Sequence, residues 1–470
     1  MATNKSNLAS RDSVDATHSS YEYWKAISDL PITLLGGTRA MKAAGKKYLP
    51  KDSLEKEANY KNRVSRSTLV NFFKKTISFL GGQVFSKDIV ISDDAPGVIN
   101  MIRNDVDLNG NTIDTFCKRH FEKGLGEGVC SIYVDTNNKD KSYTSKAEET
   151  EDGIRPYLRM ISGNDIFAFV DENGILLQVR IKETVQEKVG KFGVEVIEQI
   201  RVIEPGLWEI YRQDSKKKTW SIYEAGTTNL SYIPIVAFIP GEQLSILTGE
   251  TPLIDLAELN LDHWQSKSDQ TNILHVARVP MLFCKQVDLS TVESSVHSAI
   301  CSDGPQAEIK WVEINGKSIE VGQKDLTEIE AKAALYGLQQ LIPRSGNQTA
   351  TEKAITSAES NSSLGCWVGI EEMCIRRAME MVCDYEGVKE QFDYSMISLN
   401  KDFTAGIIDA ETITLYIGMV EKGILSAQSA FNEIKKKGLL SEELDWIDIL
   451  AEMENEKQNT EATSFSTFGK

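Results

Sequence analysis

Between Thr251 and Pro343 the chain specifies two helices on either side of a stretch of short strands, and this arrangement limits its possible folds more than any other feature. Thr251 is a good N-cap, and Pro252 sits at the first helical position, where a missing N–H costs nothing. That helix is expected to reach about His275 and to stop before Pro280. Residues 279–322 return to short strands around Asn315-Gly316, a dipeptide suited to a hairpin turn. A second helix is expected over 325–342, where Leu326, Ile329, Ala333, Leu338 and Leu341 form an apolar stripe that Pro343 ends.

The second half of the first helix, from Asp262 to Asn272, is unusually polar. The pattern predicts a helix facing a wet channel or a neighbouring subunit rather than a monomeric core. A long helix is expected over 351–386, with Gly365 and Gly369 as weak points. Three short helices follow, capped by Asp409, Ser426 and Ser441, and Lys435-Lys436-Lys437 meets the negative end of the second one's dipole.

Upstream, residues 1–20 read as a disordered arm, and 21–50 as helix interrupted at Gly36-Gly37. Residues 55–80 read as one basic amphipathic helix stopped by Gly81-Gly82. A helix over 112–123 runs into Gly124, Gly126 and Gly128 and then into a strand over 129–134. Residues 154–240 are strand-rich, with strands expected at 157–162, 166–170, 175–182, 194–203, 207–212, 219–224 and 233–239.

Bulk properties narrow the class. At roughly 150 residues per domain, 470 residues give a prior of about three domains. A net charge of −17 argues against a surface that grips DNA or anionic lipid throughout. A hydrophobic content of 41% supports a packed core. No apolar signal region is visible in residues 1–20, and the most apolar stretch, 232–240, is too short to span a bilayer. Seven cysteines without framework spacing read as reduced thiols in an intracellular protein.

Local chemistry is sparse. The glycines at 124, 126 and 128 follow a helix and precede a strand, the reverse of a phosphate-binding loop, so they read as a flexible turn. None of His18, His120, His263, His275 and His297 has a His or Cys neighbour at metal-ligand spacing. His263 and His275 share a helix but lie roughly 18 Å apart at 1.5 Å per residue. Cys366, Cys374 and Cys383 read as small buried thiols. The adjacent pairs Glu371-Glu372 and Asp93-Asp94 read as surface residues. Basic clusters read as solvated faces, with Lys267, Lys332, Arg344 and Lys353 as isolated cations able to meet passing DNA.

Several segments resemble the portal proteins of tailed bacteriophages. They are Lys47-Tyr48-Leu49-Pro50-Lys51, the stretch from Tyr60 to Leu80-Gly81-Gly82-Gln83-Val84-Phe85, Gly126-Glu127-Gly128-Val129 leading to Tyr133-Val134-Asp135, and Ile233-Pro234-Ile235-Val236-Ala237-Phe238. The strongest runs from Pro252-Leu253-Ile254-Asp255-Leu256-Ala257 through Asn260-Leu261-Asp262-His263-Trp264 and Ser268-Asp269-Gln270 to Pro280. Thr349-Ala350-Thr351-Glu352 and Leu399-Asn400-Lys401-Asp402-Phe403 complete the set, which spans about residues 45–450.

The resemblance implies an α+β, portal-type fold: a mixed α/β wing (21–250 and 352–404), a two-helix stem (251–277 and 324–342), a small α/β clip (278–323), a tunnel loop (343–351), a short helical crown (405–455) and a flexible tail (456–470). It implies a homo-oligomeric ring of about twelve subunits with head-to-tail interfaces, at one vertex of the virion capsid. The terminase would pump double-stranded DNA through this ring, which would assemble in the host cytoplasm with major capsid and scaffolding proteins and later receive head–tail adaptor and tail proteins. The tunnel loop (Arg344, Ser345, Asn347, Gln348, Thr349, with Lys353) would approach DNA without reading bases. Lys267 and Lys332 would face the channel, and Trp311, Glu313, Asn315 and Lys317 would lie in the docking clip. No catalytic residue, cofactor or metal is implied. An acidic wall would let DNA pass without sticking. Two other readings stay open at this point: a cytosolic enzyme with a site assembled from distant residues, and another head-assembly structural protein.

Overall fold

The computed structural model describes residues 13–137, 146–214, 218–278, 281–285, 306, 308–312, 316–337, 350–401, 403, 410–436, 440 and 444–451. It is an α+β protein, and among the described residues every strand pair is antiparallel. Residues 1–399 form one compact unit and 400–470 a second.

The first unit begins with α1 (Ser19–Leu35) and α2 (Gly37–Ala44), divided at Gly36 as expected. Next come α3 (Glu57–Arg66) and α4 (Phe72–Val84). The single helix expected over 55–80 is therefore two, broken at 67–71. Gly81-Gly82 does not stop the second, which continues to Val84. After β1 (Val90–Ile91) and α5 (Gly97–Ile102), α6 (Ile113–Glu127) leads into β2 (Cys130–Thr136).

The glycines at the end of α6 are not a flexible turn, because Gly124 and Gly126 lie inside the helix. A Cβ on Gly124 would sit 2.2 Å from Phe238, so the glycine lets α6 approach the sheet beneath it. Gly128 closes the helix at φ +86, left-handed backbone that favours glycine. The backbone of residues 249–251 passes directly against it.

A short helix, α7 (Lys146–Glu151), precedes the strands β3 (Pro156–Ser162), β4 (Ile166–Glu172), β5 (Ile175–Val189), β6 (Gly193–Glu204), β7 (Leu207–Gln213), β8 (Trp220–Thr227) and β9 (Ile235–Phe238). The seven strands expected over 154–240 are all present. They make a three-stranded sheet in the order β3-β2-β9 and a five-stranded meander from β4 to β8. A small hairpin follows, β10 (Gln243–Ser245) with β11 (Thr248–Gly249).

The two sheets face each other across one core. Tyr133 and Ile161 from the smaller sheet meet Phe169, Val179, Ile181 and Ile203 from the larger. Alternation along β2 sends Cys130 and Ile132 to the opposite face, where α6 packs. Phe121 of α6 stacks on Phe238 of β9, with ring centroids 5.5 Å apart. Burying an aromatic ring this way contributes roughly 2–3 kcal/mol.

The chain then forms α8 (Ile254–Ala277), the paired strands β12 (Met281–Lys285) and β13 (Glu308–Val312), α9 (Gly316–Gly337) and the 36-residue α10 (Ala350–Tyr385). Gly316 opens α9 rather than turning a hairpin, so this helix starts about eight residues earlier than expected. Helix α10 packs on the three-stranded sheet beside α6. Gly365 and Gly369 do not interrupt it. Strand β14 (Ile397–Ser398) pairs with β1. No helix among the described residues is long and apolar enough to cross a membrane.

The second unit contains α11 (Ala410–Glu421) and α12 (Ala427–Lys436). Ser426 caps α12, its hydroxyl accepting from the Ser429 N–H at 3.1 Å. Phe431 meets Trp446 at 5.4 Å between ring centroids. The turn that follows is capped by Asp445; Asp409 and Ser441 lie outside the described residues.

Candidate functional site

Helix α8 is built from its cap upward. The Thr251 hydroxyl accepts from the Leu253 N–H at 3.2 Å and donates to the Leu125 carbonyl at 2.6 Å. One side chain thus starts α8 and fastens it to the end of α6. Helix α9 runs antiparallel alongside: residue 263 of α8 pairs with 330 of α9, and residue 270 pairs with 319. Leu326, Ile329 and Ala333 are buried on α9, as its stripe predicts.

The polar half of α8 does not face a channel within this chain. Asn260, His263, Ser268 and Gln270 are buried against other elements of the same unit. One reason lies in the break at 67–71, where the first N–H groups of α4 have no helical partner and need others. The Asn260 amide accepts from the Phe73 N–H at 3.1 Å and donates to the Val70 carbonyl at 2.8 Å. The Ser67 hydroxyl donates to Ser268 at 2.8 Å. Gln265 donates to the Tyr48 carbonyl at 3.1 Å. Part of the polar sequence of α8 is therefore spent within this chain, on α3, α4 and α9, while Asp262 and Asp269 stay exposed.

A buried arginine completes this joint. Arg63 lies only 5% exposed yet makes a two-pronged contact with Glu55, at 3.1 and 2.9 Å. It also donates to the Pro50 carbonyl and reaches Asp269 at 3.2 Å. The hydrogen bonds from Arg63 hold the Glu55 carboxyl below the usual range. Lys47-Tyr48-Leu49-Pro50-Lys51 thus supplies three carbonyls, those of Tyr48, Leu49 and Pro50, that α8 and α3 grip.

The joint between α8 and α9 centres on His263. Its Nε2 lies 3.1 Å from Glu330, Phe72 meets the ring edge-on at 4.9 Å, and Nδ1 is buried without a partner. Burial lowers the His263 pKa despite Glu330, and the charge of Lys267 one turn away adds to the fall. The Gln270 amide donates to the Ile319 carbonyl at 2.9 Å.

The sequence-derived candidates divide into three groups. Lys267 is half-buried on α8, and Lys332 is exposed on α9. Trp311 lies on β13 opposite Leu282. Lys317 belongs to the first turn of α9 rather than to the strand region, and is exposed. Lys353 lies near the start of α10. Arg344, Ser345, Asn347, Gln348, Thr349, Glu313 and Asn315 fall outside the described residues.

Two carboxylates expected at the surface are buried. Glu371 is wholly enclosed and meets His120 Nδ1 at 2.9 Å, while His120 Nε2 lies 3.2 Å from the Cys130 carbonyl. Burial by itself would lower the His120 pKa, but the facing Glu371 carboxylate prevails and pushes it up to about 10. An imidazolium donating from both nitrogens fits this geometry. Glu372 is also buried, holding Arg376 at 3.0 Å and accepting from the Leu399 N–H at 2.9 Å. Arg376 lies one turn beyond Glu372 on α10, but no local signal marks His120 or the Leu399 N–H, which come from α6 and from beyond the end of α10. Cys374 and Cys383 are buried as expected, but Cys366 is exposed. Among the described residues no group of three or more His, Cys, Asp or Glu could hold a metal ion.

A family model described as a domain of unknown function (DUF4055) matches residues 252–386. That stretch runs from the start of α8 to the end of α10. No curated protein matches the chain. Similar solved structures include one described as the virion of a native gene transfer agent particle, at 10% identity, covering 78% of this chain and 89% of that one, with a TM-score of 0.39. A second is the neck of an empty gene transfer agent particle computed with C6 symmetry, at 11% identity, the same coverage and a TM-score of 0.38. A third is the neck of a native particle computed with C12 symmetry, at 10% identity, covering 76% and 88%, with a TM-score of 0.36.

Proposed function

We propose that this chain is the subunit of a phage portal ring, a structural conduit rather than an enzyme. One observation carries the reading. The strongest family-like motif, from Pro252 to Pro280, coincides with α8 of an antiparallel helix pair, and the antiparallel strands β12 and β13 lie between the two helices in the chain. The long α10 then returns to the three-stranded sheet. This is the stem, clip and wing-helix order that the sequence resemblance implies.

In this reading, α8 and α9 are the stem and the β12–β13 region is the clip that docks the terminase during packaging and adaptor or tail proteins afterwards. The sheets with α1 to α6 and α10 form the wing, and the C-terminal helices form a small crown. About twelve copies close into a ring by head-to-tail contacts at one vertex of the virion, assembled with capsid and scaffolding proteins. Double-stranded DNA passes through without sequence-specific contact. Arg344, Ser345, Asn347, Gln348, Thr349 and Lys353 approach its backbone, and Lys267 and Lys332 lie along the stem. The rigid joint of α8 with α3, α4 and α9 serves this role by holding the stem at a fixed angle to the wing.

Immunogold labelling of intact particles tests the reading. Label at a single vertex of each head is the expected result. Label distributed over the shell, or absent from particles, would contradict it. Substituting Arg344 or Lys353 by Ala is expected to change DNA packaging or retention and leave ring assembly intact.

A further inference from the structure

Charge is distributed very unevenly along this acidic chain. Between Gly37 and Lys75 there are eleven Lys and Arg against three Asp and Glu, a net of +8 in a chain whose total is −17. Some of these cations are already occupied. Arg63 is buried with Glu55, Lys47 is paired with Asp29, and Lys46 and Lys51 share Glu57. Arg39, Lys61, Arg66 and Lys75 are exposed, and among the described residues none has a carboxylate partner.

The opposite feature lies on α8. Asp255, Glu258 and Asp262 follow at i, i+3 and i+7, which places them on one helix face about 10 Å long. All three are exposed, and no Lys or Arg occurs between Thr251 and Ser266. Like charges at this spacing repel within a helix. The crowding is felt at Glu258, whose carboxyl is raised by partial burial and by the charges of Asp262 and Asp255.

The two surfaces do not neutralise each other inside one chain. Helix α3 turns its inner face, with Tyr60 and Arg63, toward the body of the unit and toward Asp269 of α8. Lys61 and Arg66 lie on the outer, exposed face of α3. Two exposed faces of opposite sign on one molecule suit a heterologous contact, in which each copy offers one face to each neighbour.

We infer that the acidic ridge Asp255, Glu258 and Asp262 of one copy docks on the basic face Arg39, Lys61, Arg66 and Lys75 of a second copy of this chain. The inference deepens the ring reading and rests on it for the closure of such contacts into a ring. It names the two faces that meet and the sign of each. Exposed charges of this kind act mainly on the rate and specificity of encounter, and they are weakened by salt.

Two charge-reversal variants of the full chain test it. One carries Asp255→Lys, Glu258→Lys and Asp262→Lys; the other carries Arg39→Glu, Lys61→Glu, Arg66→Glu and Lys75→Glu. Mass photometry follows assembly at low salt and at about 1 M salt, where the screening length falls to about 3 Å. The wild-type chain is expected to assemble at low salt and dissociate at high salt. Each variant alone should lose assembly, and an equal mixture of the two should regain it, because every contact then pairs opposite charges again. Recovery on mixing also excludes misfolding as the cause of the loss.

Assembly of both single variants at the wild-type level overturns the inference, as does failure of the mixture when both variants give wild-type circular dichroism. If the basic-face variant assembles normally but loses binding to a short DNA duplex, that face serves nucleic acid and the inference is wrong. Rings from the wild type and from both variants would leave the portal reading standing without this contact. Salt-sensitive open chains that are lost on reversal and regained on mixing, with no ring, would keep the contact and contradict the portal reading.

Discussion

His120 and Glu371 stand 251 positions apart in the chain, and their side chains meet at 2.9 Å with no exposure to solvent. The pair joins α6 to α10 beside the start of β2, the central strand of the three-stranded sheet. Removing one half of a buried ion pair leaves an uncompensated charge or an unpaired polar group, at a cost of about 3–5 kcal/mol. Glu371→Gln is therefore expected to lower the unfolding free energy by about that amount, measured by chemical denaturation.

The same pair sets a dependence on alkaline pH. The unfolded His120 titrates near 6.5 and the folded one at about 10. The folded state thus binds the extra proton between these values. The stabilisation is full below pH 6.5 and is lost as pH rises toward 10. Thermal melting should fall over that window in the wild type and fall less in His120→Gln.

His263 behaves in the opposite sense. Its pKa is lowered, so the folded state resists protonation and its contribution is lost as pH falls below 6.5. Among the imidazole resonances in a nuclear magnetic resonance titration, one should remain protonated well above pH 8 and another should titrate below the ordinary histidine value. Lys267→Met should move the second upward, because it removes a nearby positive charge.

Asn260 satisfies two backbone groups at the break between α3 and α4. Asn260→Ala leaves the Phe73 N–H unpaired and removes one of two donors to the Val70 carbonyl, and should destabilise by about 1–3 kcal/mol. Hydrogen exchange should show the loss first at Phe73 and its neighbours.

Gly124→Ala adds a Cβ that would lie 2.2 Å from Phe238. Overpacking of this kind costs about 1–3 kcal/mol. Phe238→Leu in the same chain should recover part of that loss, since the smaller side chain gives way.

The sheet and the stem-like helix pair were legible because local signals agree with the final packing. Alternation fixes the seven strands of 154–240, and Thr251-Pro252 fixes the start of α8. What was not legible depends on partners distant in sequence. Residues 67–71 carry no strong helix breaker; the Val70 carbonyl and the Phe73 N–H are met by Asn260, and the Ser67 hydroxyl by Ser268, all from a helix 187 to 201 positions away. In the polar run of α8, His263, Ser268 and Gln270 look like surface residues until the groups they meet are known, whereas Asp262 and Asp269 are indeed exposed. Glu371-Glu372 looks solvated because His120 is far away in sequence, although Arg376 lies only one helical turn beyond Glu372. Gly316 illustrates a narrower point: a turn dipeptide read in isolation says nothing about a helix that begins at its second residue.

The central claim is that this chain works as a closed ring. Native mass spectrometry of the full-length protein, purified with its scaffolding partner co-expressed, tests it most directly. The account predicts a discrete assembly of about twelve subunits that remains one species on dilution at low salt. A monomer at every concentration and salt level would contradict it.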